Sequence, residues 1–179
     1  MRTLRQFLAA TNGAAAIEMA LVTPILLMLM FGGAEVGNFF VNEHSLVKAV
    51  RDGARFAGRQ SMTNYSTCSG SLASGTPTGD AVRNVVINGY TSGSDGITPN
   101  IKAADITVTF NCATQVNSVA MKGIYKTRAA VCPGVGALGC AQWVTVTASV
   151  TYKPILSSFG FKGLSIQLNA AQQAAIMGI

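Results

Sequence analysis

The feature that most constrains this chain is an apolar run near its N-terminus. Residues 14–34 contain one acid, one proline and no base. At about 1.5 Å per residue, a helix of this length just crosses the ~30 Å hydrocarbon core of a bilayer. Because the short tail before the run contains Arg2 and Arg5 and no acid, the positive-inside rule places that tail in the cytoplasm. The run therefore predicts a single transmembrane helix, with the rest of the chain outside.

The one acid in this run is Glu18, which follows Gly13 by five residues. An ionised side chain inside a bilayer costs several kcal/mol on insertion scales unless it is paired. A plain anchor would carry leucine or valine at this position. We therefore expect Glu18 to have a partner. The alternative is an interfacial Glu18 that reaches to water and pairs with nothing.

A cleaved secretory signal peptide is the alternative to an uncleaved span. The apolar core of a signal peptide is shorter and carries no charge. Glu18 and Pro24 therefore argue against it, although residues 31–34 resemble a small-residue cleavage site. The length and the charge favour an uncleaved helix.

Charge and residue types exclude several function classes. The formal net charge is +6, but the basic residues are spread along the chain. A nucleic-acid-binding protein usually shows a dense basic patch with aromatic residues, so we expect no nucleic-acid partner. The only histidine is His44, and no two cysteines have Cys-x-x-Cys spacing. We therefore expect no metal site and no cofactor.

The cysteines predict disulfides in an oxidising compartment, because all four follow the apolar run. If residues 105–112 and 141–152 form a hairpin, two of them meet at its open base. That arrangement favours a Cys112–Cys140 bridge together with Cys68–Cys132. A local Cys132–Cys140 bridge is the competing pairing. The candidates are Cys68, Cys112, Cys132 and Cys140.

The helix is expected to continue beyond the membrane. Residues 35–60 contain no proline, and their apolar side chains recur at helical spacing. A helix from Ala14 to about Arg59 would be roughly 70 Å long. Pro24 would remove one backbone hydrogen bond and kink it. We expect Glu35, where the helix leaves the membrane, to be an ordinary solvated acid. The expected apolar stripe is Val47, Val50, Ala54 and Ala57, and the neighbouring basic stripe is Lys48, Arg51, Arg55 and Arg59. We expect the basic stripe to be solvated; the alternative is that it contacts lipid head groups or an acidic partner subunit.

The second part of the chain predicts a small sheet. Residues 61–79 and 91–100 have loop composition, and Asp80 between them can cap a short helix. The hydrophobic period then changes to two in residues 106–112, 144–152 and 164–170. This pattern is typical of an antiparallel sheet with one covered face, which the apolar stripe of the long helix would cover.

The predicted fold class is therefore α+β. A long N-terminal transmembrane and stalk helix precedes a small extracytoplasmic domain with a short helix and an antiparallel sheet of about three strands. The predicted divisions are a cytoplasmic leader 1–13, a transmembrane helix 14–34, a stalk 35–60 and an extracytoplasmic head 61–179.

The N-terminal pattern resembles a known family. Gly13 followed by Glu18 and an apolar helix is similar to a type IV prepilin processing site. The longer pattern resembles the TadE-like family of minor pilins, or pseudopilins, of the tight-adherence (Tad/Flp) pilus machinery. Met19 stands where that family usually has phenylalanine, which keeps the apolar character. The resemblance is carried by Gly13, residues 16–22, Pro24, Leu26, Leu27, Glu35, Gly37 and the run Arg51-Asp52-Gly53-Ala54-Arg55-Phe56-Ala57, with a weaker likeness at residues 150–154.

The resemblance implies a processing step and a set of partners. A prepilin peptidase would cut after Gly13 and leave Ala14 as the new N-terminus. Glu18 would neutralise the amino terminus of a neighbouring subunit and so set the axial register. The implied partners are the inner membrane, the peptidase, other pilin and minor pilin subunits and the Tad assembly platform. The implied location is the bacterial inner membrane, with a periplasmic head, or an extracellular pilus.

Two other function classes compete with this interpretation. One is a single-pass envelope protein whose periplasmic head adheres or binds a ligand, with the N-terminus as a plain signal anchor. The other is a secreted enzyme. The clear acids of the head are Asp80, Asp95 and Asp105, and the head contains no histidine. Because it cannot build a Ser/His/Asp or Cys/His arrangement, we expect no catalytic activity.

Overall fold

The computed structural model describes residues 12–65, 67–93, 100–113, 115–116, 119–120, 140–159 and 165–178. Two α-helices, six strands and three short 3-10 helices lie in this part of the chain. The helices are α1 (Asn12–Gly58) and α2 (Pro77–Asn88). The strands are β1 (Gly70–Ser71), β2 (Ile106–Ala113), β3 (Gln115–Val116), β4 (Val119–Ala120), β5 (Ala141–Thr151) and β6 (Gln167–Ala175). The 3-10 helices are Met62–Tyr65, Ala103–Asp105 and Ile155–Phe159.

These residues form two compact units. The helix unit contains residues 12–40 and the segment 153–159, and the sheet unit contains the described residues between 41 and 152 together with 165–178. Helix α1 belongs to both units, because it begins in the first and ends in the second. The α+β fold class is confirmed: a long apolar helix precedes a domain with a short helix and an antiparallel sheet.

The C-terminal part of α1 buries one stripe in the sheet unit. Leu46, Val50, Ala54 and Ala57 are each at most 2% exposed. The predicted stripe is correct except at its first position, where Leu46 is buried and Val47 is only half-buried. The predicted basic stripe on the neighbouring face is exposed: Lys48, Arg51, Arg55 and Arg59.

Helix α2 begins with a different cap from the predicted one. The Thr76 side chain accepts the backbone N–H of Gly79 at 3.2 Å, and Pro77 occupies the first turn. Asp80 lies inside that turn and accepts the N–H of Gly75 with both carboxylate oxygens, at 3.0 and 3.1 Å. The prediction of Asp80 as the cap was therefore wrong. The helix starts earlier because proline is well tolerated at the first helical position.

The sheet has the order β1-β2-β5-β6, and its neighbouring strands are antiparallel. The predicted hairpin of β2 and β5 is confirmed, with Cys112 opposite Gln142. One face is buried through the alternating positions of both strands, as predicted. The last strand begins at Gln167 rather than 164 and runs on to Ala175. Its second half reads Ala-Ala-Gln-Gln-Ala-Ala, so it has no period-two hydrophobic pattern. β3 and β4 form a separate two-stranded sheet.

The cysteine pairing differs from the favoured one. Cys68 is bonded to Cys112, and their Cα atoms are 5.1 Å apart. The reason is β1, which the sequence did not reveal: Gly70 pairs with Phe110, so the chain before β1 runs alongside the end of β2. Cys112–Cys140 and Cys68–Cys132 are therefore wrong. Cys140 is disulfide-bonded, and Cys132 lies outside the described residues, so the Cys132–Cys140 bridge stays a prediction.

A buried arginine on α2 donates hydrogen bonds to backbone carbonyls beside strands β1 and β2. Arg83 on α2 is 6% exposed. Its guanidinium donates to the carbonyl of Leu72 at 2.7 Å and to that of Ile106 at 3.4 Å. Asp80 lies 3.9 Å away across one helical turn. The cation is thus stabilised by carbonyl oxygens and one carboxylate, and it links the helix to the edge of the sheet.

Tyr65 connects the end of α1 to the core. Its hydroxyl donates to the carbonyl of Ala57 at 2.7 Å, in the last turn of the helix. Its ring packs edge-on against Phe110, with centroids 5.3 Å apart. Burial raises the pKa of the Tyr65 phenol to about 12. The hydroxyl therefore remains protonated, and continues to donate this hydrogen bond, well above neutral pH.

Gly58 at the end of α1 gives a test of this packing. A Cβ built there would lie 2.7 Å from the backbone carbonyl oxygen of Ala175 in β6. We expect Gly58→Ala to lower the free energy of unfolding by about 1–3 kcal/mol, because a strand backbone cannot move aside. The measurement is chemical unfolding of the full chain in detergent, followed by near-ultraviolet circular dichroism.

Gly37→Ala is the matched control on the same helix. A Cβ at Gly37 meets nothing within 4 Å. Alanine also favours the helix by up to about 1 kcal/mol, so this variant should be at least as stable as the parent. Equal unfolding curves for the two variants would contradict the packing described here.

The disulfides can be read from a tryptic digest without reduction. The Cys68–Cys112 bridge should join peptide 60–83 to peptide 103–122. Cys132 and Cys140 both fall in peptide 129–162, because no basic residue separates them and Lys153 precedes a proline. The overturned pairing would instead link all three peptides. Replacing both Cys68 and Cys112 by serine should lower the free energy of unfolding by about 2–4 kcal/mol.

Candidate functional site: the N-terminal helix

The predicted cleavage position lies at the start of α1. Gly13 and Ala14 are exposed in the first turn, and a Cβ at Gly13 would meet nothing within 4 Å. First-turn N–H groups have no partner inside the helix, and glycine costs a helix about 1 kcal/mol relative to alanine. The first turn around Gly13 is therefore easier to unwind than an ordinary turn in the helix interior. Residues 1–11 of the predicted leader lie outside the described residues.

Glu18 lies one helical turn beyond Ala14 and is exposed. Residues four apart share one face of a helix, so the two positions are neighbours. Among the described residues, no hydrogen bond or salt bridge engages the Glu18 carboxylate. If the chain begins at Ala14, an ammonium and a carboxylate occupy the same end of the same helix.

The apolar run forms a part of α1 that the described residues leave uncovered. The large apolar side chains between Ile17 and Phe31 are 42–76% exposed. This helix is long and apolar enough to cross a membrane, and none of its most apolar window is buried. A helix that is apolar on all sides and uncovered is suited to a lipid environment rather than to water.

Pro24 lies inside α1, and the helix continues on both sides of it. Proline has no N–H to give to the carbonyl of Ala20, one turn earlier. The hydroxyl of the preceding Thr23 donates to the Met19 carbonyl at 2.5 Å. The kink at Pro24 stays a prediction.

The glycines of α1 fall into two groups. At Gly32, Gly33 and Gly37, a Cβ would meet nothing within 4 Å. At Gly53 it would overlap the side chain of Val86 in α2, and Gly58 faces β6 as described above. The second group is required by packing inside the sheet unit. The first group leaves helix backbone open to close approach by another helix, which small residues permit in membranes.

Glu35 is not the solvated acid that the sequence suggested. It is half-buried, and its carboxylate accepts the backbone N–H of Leu156 at 3.2 Å. Leu156 lies in the first turn of the 3-10 helix Ile155–Phe159, where N–H groups need external partners. This contact joins residues 121 positions apart. The sequence contains only two weak signals for this contact. Glu35 is an acid directly after the apolar run, and Lys153-Pro154 directly precede the 3-10 helix Ile155–Phe159.

The described residues of the sheet unit line at least two clefts. One, of about 280 Å³, lies between α1 and α2 and is lined by residues that include Lys48, Asp52 and Val86. The other, of about 350 Å³, lies on the outer face of the sheet and includes Thr107 and Asn169. Within the part of the chain that the structure describes, no group of three or more histidines, cysteines or acids could hold a metal ion.

The structure thus groups the predicted site residues by position. Gly13, Ala14 and Glu18 lie together in the first two turns of α1, and Pro24 follows within the uncovered run. The cysteines lie elsewhere: Cys68, Cys112 and Cys140 belong to the sheet unit.

Comparison with known proteins supports the N-terminal resemblance. The family model described as TadE-like protein matches residues 13–55. The match begins at the predicted cleavage position and ends within the buried stripe of α1. The resemblance to the TadE-like family is therefore confirmed over this segment. No curated protein and no solved structure matches the chain.

Proposed function

We propose that this chain, TadE-like over residues 13–55, is a minor pilin or pseudopilin of a Tad/Flp-type pilus. The observation that carries the proposal is the extent of the family match along α1. The family match covers the uncovered apolar helix, and it extends into the stripe that α1 buries in the sheet unit. The family model therefore matches both the proposed membrane anchor and the part of α1 that packs in the head. We expect this extent for a subunit that assembles through its helix.

In this proposal, residues 14–34 anchor the chain in the bacterial inner membrane. Arg2 and Arg5 hold the N-terminus in the cytoplasm, and the head lies in the periplasm. The Cys68–Cys112 bridge supports an oxidising location for the sheet unit. The protein acts by assembly with other pilin subunits and the Tad platform, and it performs no catalysis.

A prepilin peptidase cuts after Gly13 in this mechanism. Exposure and helix-end position both favour access to this bond. The cut creates an ammonium at Ala14, which Glu18 of a neighbouring subunit neutralises. Two opposite charges in an apolar environment are far less costly together than apart. The requirement to pair them fixes the axial position of one subunit against the next.

The cleavage is tested by mass spectrometry of the N-terminus in cells with and without a prepilin peptidase. We expect a chain beginning at Ala14 in the first strain and an uncleaved chain in the second. An intact N-terminus in both strains would contradict the proposed cleavage after Gly13. A start near Glu35 would instead identify a secretory signal peptide and favour the alternative, an envelope protein with an adhesive or ligand-binding head.

Glu18→Leu tests the pairing of charges. The variant should still insert, because leucine favours the bilayer more than glutamate does. It leaves an ammonium unpaired in apolar surroundings, a loss of about 3–5 kcal/mol per contact, or at least a hundredfold in association. We expect normal membrane levels and loss of piliation. The measurement is a count of surface pili beside a membrane immunoblot.

Met19→Leu is the control for this experiment. Met19 is the next residue, is similarly exposed and carries no charge. Its replacement should leave piliation unchanged. Normal piliation in Glu18→Leu cells would remove Glu18 from the mechanism, whereas loss in both variants would point to helix packing rather than charge.

A further inference from the structure

A segment distant in sequence is attached to α1 at the end of the apolar run. Glu35 is the residue after position 34, and its carboxylate holds the N–H of Leu156 at 3.2 Å. Both residues belong to the helix unit. The backbone of Leu156 therefore lies within one side-chain length of the residue at which the proposed span ends.

The segment carries an exposed aliphatic residue beside a cation. Ile155 is 56% exposed although it lies within a compact unit, and Lys153 is exposed as well. Beyond α1, few large apolar side chains of the described residues are exposed to a comparable extent: Tyr90 and Met177 are more exposed than Ile155, and Ile166 is less exposed, at 39%. Ile155 differs from them because its neighbour is bonded to the membrane-proximal end of the helix.

This pairing of side chains fits the boundary between acyl chains and head groups. An aliphatic side chain enters the boundary, while the lysine stem extends so that its ammonium reaches lipid phosphates. Such basic residues are attracted by anionic lipids. The Glu35 contact also satisfies the Leu156 N–H, a backbone group that is costly to bring near hydrocarbon without a partner.

We propose that residues 153–159 form a second, peripheral contact with the membrane, in which Ile155 enters the lipid boundary, Lys153 contacts anionic head groups and Glu35 positions the segment. The contact rests on the proposed anchoring of residues 14–34. The chain would then contact the same bilayer surface at two places, where α1 leaves the membrane and at residues 153–159.

Tryptophan quenching in lipid vesicles tests the contact. The single native tryptophan, Trp143, is first replaced by phenylalanine. Full-length chains with Ile155→Trp are then reconstituted in vesicles of phosphatidylethanolamine and phosphatidylglycerol, with or without bromine on the acyl chains. We expect bromine to quench this tryptophan and aqueous iodide to quench it little.

Two further positions make the result decisive. A tryptophan introduced by Leu26→Trp lies in the middle of the proposed span, so its quenching reports whether residues 14–34 are inserted in the bilayer. Ser149→Trp lies on an exposed position of β5 and controls for the affinity of tryptophan for membranes. Bromine quenching at 26 without quenching at 155 overturns the peripheral contact and leaves the anchor intact. If position 26 also fails, the anchor of the proposed function is wrong. Bromine quenching at 149 equal to that at 155 overturns the contact too.

The positioning role of Glu35 has its own readout. Glu35→Leu removes the acceptor, so bromine quenching at position 155 should fall and iodide quenching should rise. Glu35→Gln keeps an oxygen that can accept the Leu156 N–H, and it should restore the parent values. Identical quenching in the leucine variant overturns the role of Glu35. Protection of position 155 that appears only when pilin subunits are added would assign the segment to a protein partner and overturn the lipid contact.

Discussion

One helix has to be stable in two environments without a break. The first half of α1 is apolar on all sides and uncovered, whereas the second half buries a single stripe against the sheet unit. A helix can make this transition because almost all of its backbone hydrogen bonds are internal, so it is mainly the side chains that have to match the surroundings. The features near its end depend on that continuity. Tyr65 bonds the last turn, and Gly58 allows β6 to approach it.

Strong periodic patterns made most of the fold predictable. The helix from Asn12 to Gly58 follows from an apolar run joined to a helical stripe, and β2 and β5 follow from strict alternation. The candidate residues at the start of the helix were predictable because Glu18 is energetically out of place in an apolar run. Each of these signals is local, since spacing along the chain alone carries it.

The remaining features depend on contacts between distant segments. β1 consists of two small residues in a loop-like stretch, so nothing in its composition indicated a strand or the Cys68–Cys112 bridge beside it. Arg83 on its own suggests an exposed cation, and only the fold surrounds it with carbonyl oxygens. Glu35 in the same way gains its partner from a segment near the other end of the chain. The spacing of residues along the sequence carries no information about such long-range contacts.

The Cys68–Cys112 bridge also has a mechanical consequence. If the protein is a pilus subunit, as proposed, a pull on its helix would transmit tension through Gly58 into the chain that follows. The stretch between Gly58 and Cys68 can extend to only about 35 Å before it is taut. From that point the force passes through the covalent bridge directly to β2, in the interior of the sheet. The residues between the two cysteines, including α2, are thereby relieved of the force. A fibre of the proposed kind would therefore resist stretching through its sheets rather than through its loops.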